Sequence, residues 1–141
     1  MSHAGNVPAI VMAAIAAWLF GGIYYSLLSG PWLRAMGKTL EQCKAEQAAK
    51  SGIAKYAPFI LAFVGELIMA WATYGILLHM NMFTVRAGAI TGAACWLGFV
   101  LTTVTINNAF AGRKVSLAVI DCIGWLGAMV IIGAVIGWFG P

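Results

Sequence analysis

The sequence predicts an all-α membrane protein, a four-transmembrane-helix antiparallel bundle with a short cytoplasmic surface helix between spans one and two. Apolar residues make up 62% of the 141 positions and charged residues only 9%, whereas a soluble domain carries about 25% charged residues. The apolar residues also form four runs, each close to the roughly 20 residues that a helix needs to cross a bilayer. We therefore expect a single transmembrane domain with spans at about 7–28, 56–79, 85–105 and 115–138.

The end of the first span is marked by aromatic residues and a helix stop. Tyr24, Tyr25 and Trp32 fit the aromatic belt at headgroup level, and Gly30-Pro31 predicts the end of the helix. No Lys or Arg precedes this span, which favours a retained helix over a cleaved signal peptide.

The polar segment 34–55 predicts the surface helix. Thr39 and Gln42 have the spacing of a capping box, in which each side chain bonds the backbone amide of the other residue. Glu46 and Lys50 form an i,i+4 pair in the favourable order. A solvated linker helix is favoured here over one that binds a partner.

The basic residues predict the orientation. Two connections, between the first two and the last two spans, hold most of the Lys and Arg: Arg34, Lys38, Lys44, Lys50, Lys55, Arg113 and Lys114. The remaining connection holds only Arg86. The positive-inside rule then places both basic connections in the cytoplasm and both termini outside, in a bacterial inner membrane. The net charge of +4 is explained by this topology and by anionic lipid, so no nucleic-acid partner is expected.

Small residues predict how the helices pack. Helices in a bilayer associate through close backbone approach. Residues that allow it recur at every fourth position: Gly88 and Gly92 in the third span, Gly133 and Gly137 in the fourth, and Ala13, Ala17 and Gly21 in the first. They predict a compact bundle and leave contacts in an oligomer open. Because four short helices enclose little interior, we expect a homo-oligomer or a partner membrane protein.

Glu66 is the costliest residue to place. It lies about ten residues, or ~15 Å, into the second span, where a charged side chain costs roughly 2.5–3.5 kcal/mol. Desolvation disfavours the ionised form, so we expect a protonated or hydrogen-bonded Glu66 that faces the interior. A carboxyl at this depth indicates a functional site. The alternative is a structural hydrogen bond between helices.

Other polar side chains lie between Glu66 and the cytoplasmic side. One face of the third span repeats at steps of three or four and could line a polar interior: Thr91, Cys95, Gly98, Thr102 and Thr105. Asp121 lies ~9 Å into the fourth span, within reach of basic residues that could pair with it: Arg34, Arg113 and Lys114. The predicted binding or transport residues are Glu66, Asp121, Thr102, Tyr25 and Asn108. Alternatively, each Thr bonds its own i−4 carbonyl and Asp121 forms a structural ion pair.

No catalytic or cofactor motif is present, so neither an enzyme nor a cofactor is expected. Cys43, Cys95 and Cys122 lack paired spacing, which argues against a disulfide framework. His3 and His79 are isolated in the sequence. A metal or haem held by these two histidines, and lipid or quinone chemistry at Glu66, are minor alternatives.

Several short motifs resemble a bacterial membrane family known as domain of unknown function 1761. The motifs are Gly22-Ile-Tyr24-Tyr25-Ser26, Pro31-Trp32, Trp96-Leu97-Gly98-Phe99, Gly112-Arg113, Ile120-Asp121 and Gly124. The resemblance covers nearly the whole chain. It implies a four-helix integral membrane protein, and it supplies no catalytic residue.

The residues favour a small channel- or permease-like protein in which Glu66 binds a proton or a cationic group. A small-molecule or ion substrate would reach it past the threonine face and Asp121. The alternative is a structural or accessory subunit of a larger membrane assembly, or a module that binds membrane lipid.

Overall fold

The computed structural model describes residues 5–141, so His3 lies outside the described residues. The elements in chain order are α1 (Val7–Leu27), α2 (Ser29–Met36), α3 (Leu40–Ala49), a 3₁₀ turn (Gly52–Lys55), α4 (Ala57–Met80), α5 (Val85–Cys95), a π-helical segment (Trp96–Leu101), α6 (Thr102–Phe110) and α7 (Val115–Phe139). Helices α5 and α6 and the π-helical segment form one continuous third span, Val85–Phe110. This span, α1, α4 and α7 are each long and apolar enough to cross a membrane. The prediction of an all-α, four-span membrane protein is confirmed.

The third span is longer than predicted. It continues to Phe110, five residues past the expected end, and the connection to α7 is correspondingly short. Asn108 lies within the helix, and its Nδ2 donates a hydrogen bond of 2.8 Å to the carbonyl of Val104, one turn earlier. The chain turns instead at Gly112, whose φ of 62° lies in the left-handed region that glycine tolerates.

A helix that the sequence did not predict follows the first span. Helix α1 ends at Leu27, close to the expected position, but Gly30 and Pro31 belong to the first turn of α2 and not to a loop. Proline is compatible with a first turn because the amide it lacks has no partner there. Leu33 and Ala35 are buried, so one side of α2 packs against the bundle. Its C-cap, Gly37, has a φ of 71°.

The capping box of α3 is confirmed, whereas its predicted ion pair is wrong. Thr39 Oγ1 accepts from the Gln42 amide at 3.2 Å, and Gln42 Oε1 accepts from the Thr39 amide at 2.9 Å. Glu46 pairs with Lys38 at 2.8 Å, because Lys50 lies past the end of the helix in extended backbone. The hydrogen bond lowers the pKa of Glu46 and raises the pKa of Lys38.

Helix α7 is the central element, since α1, α4 and the third span all pack against it. The glycines of α5 and α7 face each other so closely that a Cβ added to Gly88 would overlap the carbonyl of Gly133, and one added to Gly92 would overlap that of Met129. These two ridges therefore pack within the chain. In α1, Ala13 and Ala17 are fully buried, whereas a Cβ on Gly21 would meet open space.

Candidate functional site

Glu66 faces the interior of the bundle. Its side chain is 4% exposed, and it shares a buried face of α4 with Ala70, Thr73 and Leu77. Its Oε2 atom is fully buried and has no hydrogen-bond partner among the residues that the structure describes. The hydroxyl of Thr73 is not available to it, because it donates to the carbonyl of Met69 at 2.8 Å. Glu66 is thus a buried acid with an unsatisfied oxygen.

The surroundings of Glu66 follow from the antiparallel register of α1 and α4. Near one end Gly5 lies against the ring of Tyr74, and near the other Trp18 Nε1 donates to the carbonyl of Phe59 at 3.1 Å. Because both helices rise 1.5 Å per residue, Glu66 lies roughly level with Ala13. The alanines on this face of α1 are fully buried: Ala13, Ala14 and Ala17. At the level of Glu66, α1 therefore presents small apolar residues and no polar side chain.

A second group of polar residues joins α1, α2 and α7 near the basic end of the bundle, the end at which α2 and the connection 111–114 lie. Tyr25 Oη donates to Asp121 Oδ1 at 2.9 Å. Tyr24 Oη donates to the carbonyl of Ile120 at 2.7 Å. The Tyr25 ring also meets Trp32 edge to face, with centroids 6.0 Å apart. We call Tyr24, Tyr25, Trp32 and Asp121 the tyrosine–aspartate cluster.

The predicted ion pairs of Asp121 with basic residues are absent from the described chain, whose one ion pair joins Lys38 to Glu46. Asp121 faces α1 and accepts from Tyr25. Lys114 donates to the backbone carbonyl of Arg34 at 3.2 Å. The sequence reveals that these side chains have similar depth, but not which way each one faces around its helix.

The polar face of the third span does not line one interior surface. Thr91 is buried, but Gly98, Thr102 and Thr105 are exposed on the surface of the single chain. Thr102 Oγ1 donates to the carbonyl of Gly98 at 2.9 Å, which is the alternative prediction that a threonine bonds the carbonyl four residues earlier. The π-helical segment between Thr91 and Thr102 changes the helical repeat, so the faces before and after it do not align. Nothing in the sequence predicts that segment.

Asn108 also has an unsatisfied atom, but it lies far from Glu66. Its side chain is buried, and its Oδ1 atom has no partner within the part of the chain that the structure describes. Asn108 is two residues from the end of its span and Glu66 is nine from the start of α4, so they differ in depth by roughly 10 Å. Of the five predicted site residues, the structure joins only Tyr25 and Asp121.

The surface of the bundle has two grooves among the described residues. One, of about 260 Å³, runs between the second and third spans and is lined by Met69, Thr73 and Cys95 among others. A larger one, of about 720 Å³, lies at the end of the bundle opposite to the basic end, beside Tyr74 and His79. Glu66 lines neither groove. Among the described residues, no three His, Cys, Asp or Glu side chains gather as a metal site would require.

Comparison with known families identifies what this chain resembles as a whole. A family model described as "Protein of unknown function (DUF1761)" matches residues 8–137, which include all four spans, Glu66 and the tyrosine–aspartate cluster. No curated protein and no solved structure matches the chain. The resemblance noted in the sequence is confirmed.

Proposed function

The chain belongs to the DUF1761 family, a family of unknown function, and we propose that it is a small permease-like membrane protein in which Glu66 binds and releases a proton or a small cation. The tyrosine–aspartate cluster would lie on the cytoplasmic approach to that site. The proposal puts the basic end in the cytoplasm of a bacterial inner membrane, in accordance with the positive-inside rule.

One observation supports this function above the others: the buried Glu66 with its unpartnered Oε2. A charge in the middle of a span costs roughly 2.5–3.5 kcal/mol. If this position served only for packing, Leu or Gln would fill it without that cost. A structural carboxyl would be expected to satisfy both oxygens with neighbouring donors, because unsatisfied buried acceptors are costly. An oxygen left without a donor is instead available to a proton or a bound cation.

The packing around Glu66 favours a permease over an open channel. A channel requires a continuous polar path, whereas α1 has only apolar side chains at the level of Glu66, and the carboxyl lines neither described groove. Access would therefore depend on a movement that separates α1 from α4. The third and fourth spans are less suited to that movement, because their backbones touch along the glycine ridges.

Proton binding at Glu66 can be tested without knowing the substrate. Infrared difference spectra of the purified protein in lipid, recorded across a pH titration, should contain a carboxylic-acid C=O band that is lost in Glu66→Gln. Glu41→Gln is the matched control, since it makes the same chemical change at an exposed position of α3. A spectrum that is identical in wild type and Glu66→Gln contradicts proton binding.

Transport is the second part of the test. Proteoliposomes that contain a pH dye should report proton movement, alone or driven by gradients of monovalent cations. We expect Glu66→Gln to abolish the movement and Glu41→Gln to retain it. Equal movement in wild type and Glu66→Gln would show that Glu66 does not serve transport.

The exposed surface of the third span favours a second candidate, an accessory subunit of a larger assembly. This span is the least buried of the four, and Leu97, Phe99 and Phe110 are exposed on it. Purification in a gentle detergent separates the candidates. A different protein at a fixed ratio supports the accessory role, whereas a homo-oligomer that still moves protons supports the permease.

A further inference from the structure

Two basic segments that are distant in sequence meet at the basic end of the bundle. Lys114 Nζ donates a hydrogen bond of 3.2 Å to the backbone carbonyl of Arg34, 80 positions away, and Arg113 precedes Lys114 directly. All three side chains are exposed. We propose that Arg34, Arg113 and Lys114 bind the phosphate of an anionic membrane phospholipid. This headgroup site is independent of any role of Glu66.

The fold brings these cations together without a matching acid. Across residues 5–141, the one ion pair joins Lys38 to Glu46 on the surface segment. Asp121, the acid on the same helix as Lys114, lies seven residues further on, or about 10 Å, and accepts from Tyr25. Lys114 Nζ lies beside the backbone of Arg34 and Arg113 is next to Lys114 in the chain, so like charges gather in this region, and a bound phosphate would offset their repulsion. Guanidinium and ammonium groups are the usual ligands of phosphate in proteins.

The position of Arg34 is fixed by packing. Leu33 and Ala35, its neighbours in α2, are buried against the bundle, so Arg34 itself lies on the outer side. Its Nη1 atom lies 3.6 Å from the position that a Cβ on Gly30 would occupy, so the guanidinium lies along α2. Arg34 is therefore held on a helix, whereas Arg113 and Lys114 lie in the short connection that precedes α7.

The apolar residues beside these cations favour a lipid over a soluble anion. Phe110 is 92% exposed, Leu27 79% and Val115 78%, which makes them among the most exposed large apolar side chains described. Each lies at the end of a span, at the same end of the bundle as the cations. A bound phospholipid would contact the cations with its phosphate and this surface with its acyl chains, whereas a free phosphate would make only the polar contacts.

Native mass spectrometry of the whole protein, titrated with phosphatidylglycerol or phosphatidylcholine, tests the site. A cation near a membrane surface changes the affinity for an anionic lipid by roughly fivefold. The double variant Arg34→Gln with Lys114→Gln should therefore bind the first phosphatidylglycerol about 25-fold more weakly. The control Lys44→Gln with Lys50→Gln removes the same charge from the surface segment and should bind as the wild type does.

Two further variants separate binding from folding. Arg34→Gln keeps the backbone carbonyl that Lys114 contacts, so α2 stays in place and the affinity should fall about fivefold. Arg34→Lys keeps the charge and should retain most of the affinity. The proposal is overturned if the control pair weakens binding as much as the site pair, if phosphatidylcholine binds as tightly as phosphatidylglycerol, or if soluble glycerol phosphate displaces the lipid at equal concentration.

Discussion

The contact between α5 and α7 makes a sharp prediction for Gly92→Ala. A methyl group at this position would overlap the carbonyl of Met129. Neither helix can absorb the overlap by a side-chain rotation, because the backbone of residue 92 fixes the position of the Cβ and the carbonyl that it meets is itself a backbone group. The two spans must therefore move apart, and every contact along their shared face becomes longer.

The size of the effect follows from contact distances. Restoring ordinary contact requires the helices to separate by roughly 1 Å, and a gap of that size forfeits a quarter to a half of the attraction of each affected atom pair. Overpacked interiors lose about 1–3 kcal/mol, and we expect Gly92→Ala to lower the free energy of unfolding by about 2–3 kcal/mol. Reversible unfolding in mixed micelles, followed by circular dichroism against the fraction of denaturing detergent, measures this difference.

Gly98→Ala is the matched control in the same span. A Cβ on Gly98 meets no atom within 4 Å, so only the helix propensity changes, and alanine is favoured over glycine by up to about 1 kcal/mol. The two substitutions should therefore have opposite signs. If Gly92→Ala is as stable as Gly98→Ala, the close approach of α5 and α7 does not support the fold.

Two further predictions concern the basic end and the surface helix. Tyr25→Phe removes the donor to Asp121 and should lower the free energy of unfolding by about 0.5–2 kcal/mol, whereas Tyr56→Phe at an exposed position should leave it unchanged; equal effects would contradict a role for this hydrogen bond. The pKa of Glu46 is lowered by Lys38, so the pair stabilises α3 above the unfolded pKa of Glu46, and this stabilisation is lost as the pH falls through the folded value. The protection factors of the α3 amides, which compare the observed exchange rate with the intrinsic rate at the same pH, should fall at acidic pH in the wild type but not in Glu46→Gln, and the same pH dependence in both would argue against the ion pair.

The parts of the fold that the sequence predicts depend on local properties. Each span follows from a run of apolar side chains, since the bilayer acts on every residue of the run. The capping box of Thr39 and Gln42 follows from two residues three positions apart. The depth of Glu66 follows from counting along one helix. None of these requires knowledge of what lies on the neighbouring helix.

The features that the sequence does not predict depend on contacts between helices. Helix α2 exists because Leu33 and Ala35 find an apolar surface on the bundle, and its eight residues would be marginal alone. Asp121 meets Tyr25 because of how α1 and α7 are rotated. The π-helical segment coincides with the hydrogen bond of 2.8 Å from Trp96 Nε1 to the carbonyl of Cys122 on α7, and it moves Thr102 off the predicted face.

The central position of α7 has a consequence for the order of biosynthesis. The ribosome releases this helix after the three others, yet they pack against it. Until it enters the bilayer, Gly88 and Gly92 have no backbone to approach, and α4, which carries Glu66, lacks its contacts with α7. The nascent chain can therefore complete its native arrangement only after the last span has entered the bilayer, although α1 and α4 also contact each other directly.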